Sequence, residues 1–135
     1  MKASGGCLCG AVRYEIDGEP VFSAHCHCRD CQRATGTGHV SVSGFRREAV
    51  TITGETRGFT VKGDSGQGIT RFFCPVCGSL LYSAPEAMSG MINVTAGTLD
   101  DPSVFQPQAS IYTKDRHAWD KLPGVAEFEA MPSPR

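Results

Sequence analysis

No run of apolar residues in the sequence approaches the roughly 18–20 needed to span a bilayer, so no membrane helix is expected. Charge of one sign is also missing. Thirteen Lys and Arg stand against 14 Asp and Glu, a formal net charge of -1. Without a surplus of cations or a basic stripe, a protein that neutralises nucleic-acid phosphates is disfavoured. The opening Met1-Lys2-Ala3-Ser4-Gly5-Gly6-Cys7 lacks the apolar stretch of a secretory leader, so a cytoplasmic chain is expected. Internal repeats, charge blocks and low-complexity runs are absent too. With 40% apolar and 20% charged residues, the chain is too hydrophobic for disorder. Its 135 residues fit one domain, expected over residues 1–130, with 131–135 as a loose tail.

What the sequence has instead is cysteine, seven residues in three groups. They are Cys7-Leu8-Cys9, Cys26-His27-Cys28-Arg29-Asp30-Cys31 and Cys74-Pro75-Val76-Cys77. Cysteines that merely filled a core as small hydrophobes would scatter. The cytosol keeps thiols reduced, and an odd number would leave one unpaired, so disulfides are not the expectation. Grouped thiols at these spacings point to zinc or a similar soft-site metal.

The chain between these groups reads as short strands. Ala11–Ile16 alternates apolar and polar residues, as a half-buried strand does, and Asp17-Gly18 marks a turn after it. Further strands are predicted at Val21–His25, His39–Ser43, Val50–Thr53, Gly58–Val61, Ile69–Phe73, Leu80–Ser83 and Met91–Val94. Helix is scarce: one or two turns over Asp30–Thr35, stopped by Gly36, and a turn over Pro102–Phe105. A mainly β fold follows, a sandwich or partly open barrel. Phe72, Phe73 and Trp119 are expected in its core.

A structural zinc site is closed by four protein ligands, whereas a catalytic one keeps three and leaves a position open. Seven thiols divide into four and three. Cys7, Cys9, Cys74 and Cys77 lie in glycine-marked turns, which suits a closed site that staples the chain start to its middle. Cys26, Cys28 and Cys31 are then an open trio. Cys26 and Cys28 project to one side of an extended segment, and Cys31 returns to them at a helix start, which favours thiolate. Spacing alone leaves a second division open, with Cys28, Cys31, Cys74 and Cys77 as a ribbon-type site and Cys7, Cys9 and Cys26 left over. His25, His27 and His39 lie near the trio in sequence; each reads first as structural, with His27 facing away from the thiols.

Together the motifs resemble those of the glutathione-dependent formaldehyde-activating enzyme family, which includes centromere protein V-like proteins. The resemblance rests on Gly6-Cys7-Leu8-Cys9-Gly10-Ala11-Val12-Arg13-Tyr14, on Cys26-His27-Cys28-Arg29-Asp30-Cys31-Gln32-Arg33-Ala34-Thr35-Gly36, and on Phe73-Cys74-Pro75-Val76-Cys77-Gly78. Gly97-Thr98-Leu99-Asp100-Asp101-Pro102, Trp119 and Leu122-Pro123 extend it. It implies an Mss4-like β fold with two zinc ions per chain, structural at Cys7, Cys9, Cys74 and Cys77, and catalytic at Cys26, Cys28 and Cys31. The implied reaction adds glutathione to formaldehyde, giving S-hydroxymethylglutathione, a carbon–sulfur lyase reaction in reverse.

Glutathione is anionic, and Arg29, Arg33, Arg46, Arg47 and Arg71 are candidates to meet it, each set against a plain surface role. Three readings therefore stand: a zinc enzyme acting on a thiol adduct of a small aldehyde, a thiol carrier, and a zinc-stabilised interaction domain. The open trio favours the first two.

Overall fold

The computed structural model describes residues 1–132, so residues 133–135 of the expected tail lie outside the described residues. The strands are β1 (Lys2–Gly6), β2 (Arg13–Asp17), β3 (Phe22–Cys26), β4 (Val40–Arg46), β5 (Val50–Thr53) and β6 (Arg57–Lys62). They continue with β7 (Gly68–Phe73), β8 (Leu80–Pro85), β9 (Met91–Thr95), β10 (Ala109–Ile111) and β11 (Ala126–Glu127). Among the described residues one α-helix, α1 (Arg29–Thr35), follows β3. No helix among the described residues is long and apolar enough to cross a membrane.

The strands form two sheets. The smaller has the order β1-β2-β5 and the larger β11-β10-β3-β4-β9-β8-β7-β6. Alternation explains the first: along β2, Tyr14 and Ile16 are buried while Arg13, Glu15 and Asp17 face out. Those two residues pack with Val12, Val50, Phe45, Leu81, Ile92, Val94 and Leu99 into the main core between the sheets. Cys7 and Cys74 belong to the same core.

The larger sheet is rolled. β3 and β7 are separated in it by β4, β9 and β8, yet the Arg71 side chain of β7 reaches Cys31, just past the end of β3. No pairing joins β11 to β6 among the described residues, so the roll stays open. The mainly β fold expected, a sandwich or partly open barrel, is thus met by two sheets that do not close into a barrel. Its second, smaller core consists of Cys26, Cys31, Val40 and Val42, flanked by Phe22, Leu80, Ile111 and Tyr112.

Trp119 departs from expectation. It is 69% exposed and stacks on His117, with ring centroids 5.1 Å apart. The ring lies on a shallow outer groove with Arg29, Gln32, Arg33 and Thr37 rather than in either core. Phe72 and Phe73 are half-buried, and Phe72 stacks on Tyr82 at 4.7 Å.

Candidate metal centres

The two loops that follow β1 and β7 bring four thiols together. Cys7, Cys9, Cys74 and Cys77 place their sulfurs within 4.8 Å of one another. Cys7 Sγ lies 3.6 Å from Cys9 Sγ, and Cys9 Sγ lies 3.8 Å from Cys74 Sγ. These separations are far beyond a disulfide's ~2.05 Å. They match the edge of a tetrahedron with zinc–sulfur bonds of ~2.3 Å, about 3.8 Å. The donor set fits a closed zinc site.

Local backbone builds that arrangement. Gly10 and Gly78 each adopt a left-handed conformation, φ +83° and +79°, which a Cβ would strain. In these turns the Gly10 N–H donates to the Cys7 carbonyl and the Gly78 N–H to the Cys74 carbonyl. Further N–H groups face the sulfurs: Val12 donates to Cys7 Sγ at 3.2 Å and Val76 to Cys74 Sγ at 3.4 Å. The Ser79 hydroxyl and N–H, with the Cys9 N–H, pull the Cys77 thiol down to about 5. Burial pushes the Cys7 thiol up, but the Val12 N–H and the neighbouring thiols outweigh it and leave it lowered. Such donors spread thiolate charge, as ligands need.

The second group is local in sequence. The sulfurs of Cys26, Cys28 and Cys31 also lie within 4.8 Å of one another, and no other His, Cys, Asp or Glu among the described residues joins them. The ribbon-type division that spacing left open is not what the fold assembles. Cys26 ends β3, held between Val40 of β4 and Ile111 of β10. Cys28 is the N-cap of α1, its sulfur accepting from the Cys31 N–H at 3.3 Å. Gln32 fixes the turn by donating from Nε2 to the carbonyls of His27, at 2.7 Å, and Asp115, at 3.0 Å.

Three converging sulfurs cannot all carry charge without a cation. Cys28 is drawn down to about 2, first by the Cys26 and Cys31 thiols, aided by the Cys31 N–H and Arg71. The Cys28 and Cys31 thiols, Cys28 foremost, and then burial drive Cys26 far up. Cys26 pulls Cys31 down, but the Cys28 thiolate and burial prevail and hold it at about 11. Arg71 supplies a single balancing charge, its Nη2 donating to Cys31 Sγ at 3.7 Å. The excess of thiol donors over positive charge fits a soft divalent ion with three protein ligands.

Of the five arginines singled out from sequence, Arg71 alone reaches a trio sulfur. Arg29 and Arg33 line the outer groove of about 370 Å³ on the other face of α1. Five residues of β4 separate Val40, beside Cys26, from Arg46, a span of six steps or about 20 Å. Arg47 instead donates to the Val50 carbonyl at 3.1 Å. Sequence reasoning missed Tyr112, which packs against the trio's core in a left-handed conformation, φ 55°. Burial, and then the Asp64 carboxylate from the β6–β7 loop, push its phenol above the ordinary tyrosine range. His27 does face away from the thiols. It meets His39 and Asp120 on the other side of the segment.

The model of a protein family described as glutathione-dependent formaldehyde-activating enzyme matches residues 2–115. All seven cysteines lie inside that span, whereas Trp119 and Leu122-Pro123 lie beyond it. The chain is also similar to a crystal structure of a Rhodobacter sphaeroides protein, with a TM-score of 0.61 at 16% identity. That likeness covers 93% of this chain and 98% of the other, and at such identity it bears on the fold alone. No curated protein matches the chain.

Proposed function

The chain belongs to the glutathione-dependent formaldehyde-activating enzyme family, and on that premise we propose that it joins a thiol, glutathione first, to formaldehyde or a related small aldehyde at Cys26, Cys28 and Cys31. One observation carries the reading: three thiols converge with no fourth protein ligand among the described residues. A site that lacks one ligand can accept the substrate's sulfur. The four-thiol group serves as the structural zinc site, so two zinc ions per chain are proposed.

In the reaction the thiol loses its proton and its sulfur bonds to the carbonyl carbon. The carbonyl oxygen takes a proton, which yields the S-hydroxymethyl adduct. The reverse cleaves the same carbon–sulfur bond. Zinc, when held by the trio, supplies the acidity that makes an incoming thiol a thiolate at neutral pH.

The protein's own groups set the stage. The Cys31 N–H and the Arg71 guanidinium hold the trio sulfurs in place and offset their charge. Gln32 locks the turn that carries them. Tyr112, kept protonated by burial and Asp64, presents a neutral hydroxyl near the trio rather than a second charge.

Adduct formation measured by exchange NMR should run faster with the protein than spontaneously, and the excess should vanish in Cys31→Ala. Zinc analysis after dialysis should show the second equivalent better retained with glutathione present. Thiol binding without acceleration would make the chain a carrier. A steady single zinc indifferent to glutathione would leave a metal-stapled interaction domain.

A further inference from the structure

Back to back with the thiol trio lies a cluster that the proposed reaction leaves unused. His27 is fully buried, its side chain 0% exposed, and neither ring nitrogen completes a hydrogen bond. The Gly38 backbone and the Asp120 carboxylate both bear on the ring, but neither aligns as an acceptor. A buried imidazole with both nitrogens unpaired is costly, and native structures rarely leave one so without a reason. Its Nδ1 is 3.3 Å from Asp120 Oδ2, and the same oxygen lies 2.8 Å from His39 Nδ1. One ligand atom from each of the three residues falls within 4.8 Å of the others.

We propose that His27, His39 and Asp120 form a binding site for a borderline divalent metal ion, zinc foremost, separate from both cysteine sites. Two imidazoles and a carboxylate are donors such an ion takes at about 2.0–2.2 Å, which puts ligand atoms near 3.3 Å apart. The His27–Asp120 separation already has that value. The His39–Asp120 contact needs to open by only about half an ångström, a side-chain adjustment. Gly38 makes the room: a Cβ there would run into the Asp120 carboxylate. Side-chain exposures of 19% for His39 and 11% for Asp120 leave a way in and a position for a further ligand.

Strand geometry places the site. Side chains alternate along an extended segment, so Cys26 and Cys28 face one way and His27 the other. A metal on His27 would brace, from behind, the backbone that carries two trio thiols. The proposal does not need the trio to bind metal, and the two ideas fail separately.

Cobalt(II) titration of the full chain separates them. Cobalt on thiolates absorbs strongly through sulfur-to-metal charge transfer, whereas cobalt on imidazoles and a carboxylate shows only weak d–d bands. One equivalent per chain without charge-transfer absorption is expected to survive gel filtration. It should disappear in Asp120→Asn and in His39→Ala while the thiolate absorption persists, which also reports that the variants fold. In the unsubstituted protein, added zinc should shift the ring nitrogen resonances of His27 and His39, a readout that needs no variant. The proposal is overturned if every bound cobalt carries charge-transfer absorption, if the silent equivalent survives in either variant, or if zinc leaves both rings unmoved.

Discussion

The two cysteine groups use the same side chain in opposite settings. Cys7 and Cys74 lie in the main core, and their group joins loops that are 65 residues apart in sequence. Cys26, Cys28 and Cys31 span six residues and belong to a small satellite core. The first group is ringed by backbone N–H donors within its own turns. The second draws on an arginine from a strand four places away in the sheet. Long-range closure suits stability. Local convergence leaves the long-range packing of the main core untouched, which suits chemistry.

The largest effect should separate the groups by what their loss destroys. Cys74→Ala removes a fully buried thiol of the proposed closed site, which would fasten β1 to β7, and metal binding of this kind is folding free energy. Little folded protein is expected, as read by circular dichroism and the thermal midpoint. Cys31→Ala should stay folded and lose the adduct-forming rate by more than about 100-fold, since the proposal makes it a ligand rather than a partner of one. The contrast breaks if Cys31→Ala unfolds as Cys74→Ala does.

Graded chelation should rank the sites next. Three anchors release an ion more readily than four, so a weak chelator is expected to abolish the rate before the thermal midpoint moves. Added zinc should restore the rate. Joint loss of both properties at one chelator concentration would mean that the two sites do not differ as argued.

The clustering of the thiols was readable in the residues, although spacing alone left the ribbon-type division open beside the grouping that the fold assembles. Val50–Thr53 matches β5 residue for residue, and Gly36 caps α1 as expected. The rest was hidden for physical reasons. β1 is Lys-Ala-Ser-Gly-Gly, with no β-branched or aromatic residue, and it forms because β2 pairs along it. β10 and β11 are three and two residues long, too short for any alternation to register. Trp119 was assigned to the core on side-chain type, but its place on the chain surface is a tertiary matter. Arg71 looked like four other arginines until the roll of the sheet brought it to Cys31. Asp120 is 81 residues from His39, so no local spacing could link them.

A smaller effect tests how the trio is supported. Arg71→Met removes the guanidinium beside Cys31, and second partners of metal ligands typically carry 10–100-fold in affinity or activity. Weaker zinc retention at the trio and a rate about 10-fold lower are expected, with an unchanged thermal midpoint. Arg71→Lys should recover part of the loss, because it keeps the charge without the planar fork. An effect on the midpoint instead of on zinc would reassign Arg71 to the fold.

The smallest effect belongs to the main core and carries a pH signature. Tyr14 is 3% exposed, and its phenol is pushed up to about 12, chiefly by burial. Thr98 Oγ1 donates to the Thr95 carbonyl at 2.7 Å, so the Tyr14 hydroxyl is the donor in its own 2.7 Å bond to Thr98. The unfolded chain ionises this phenol near 10 and the folded chain near 12, so unfolding releases a proton between those values. Stability from Tyr14 is therefore full below pH 10 and falls by about 2 kcal/mol as pH rises to 12. Tyr14→Phe should cost about 1 kcal/mol at neutral pH for the lost hydrogen bond. Above pH 10 its denaturation midpoint should decline less steeply than that of the unsubstituted protein. Parallel curves would mean that the phenol does not titrate with folding, and the alkaline weakness would then lie with the thiolate sites.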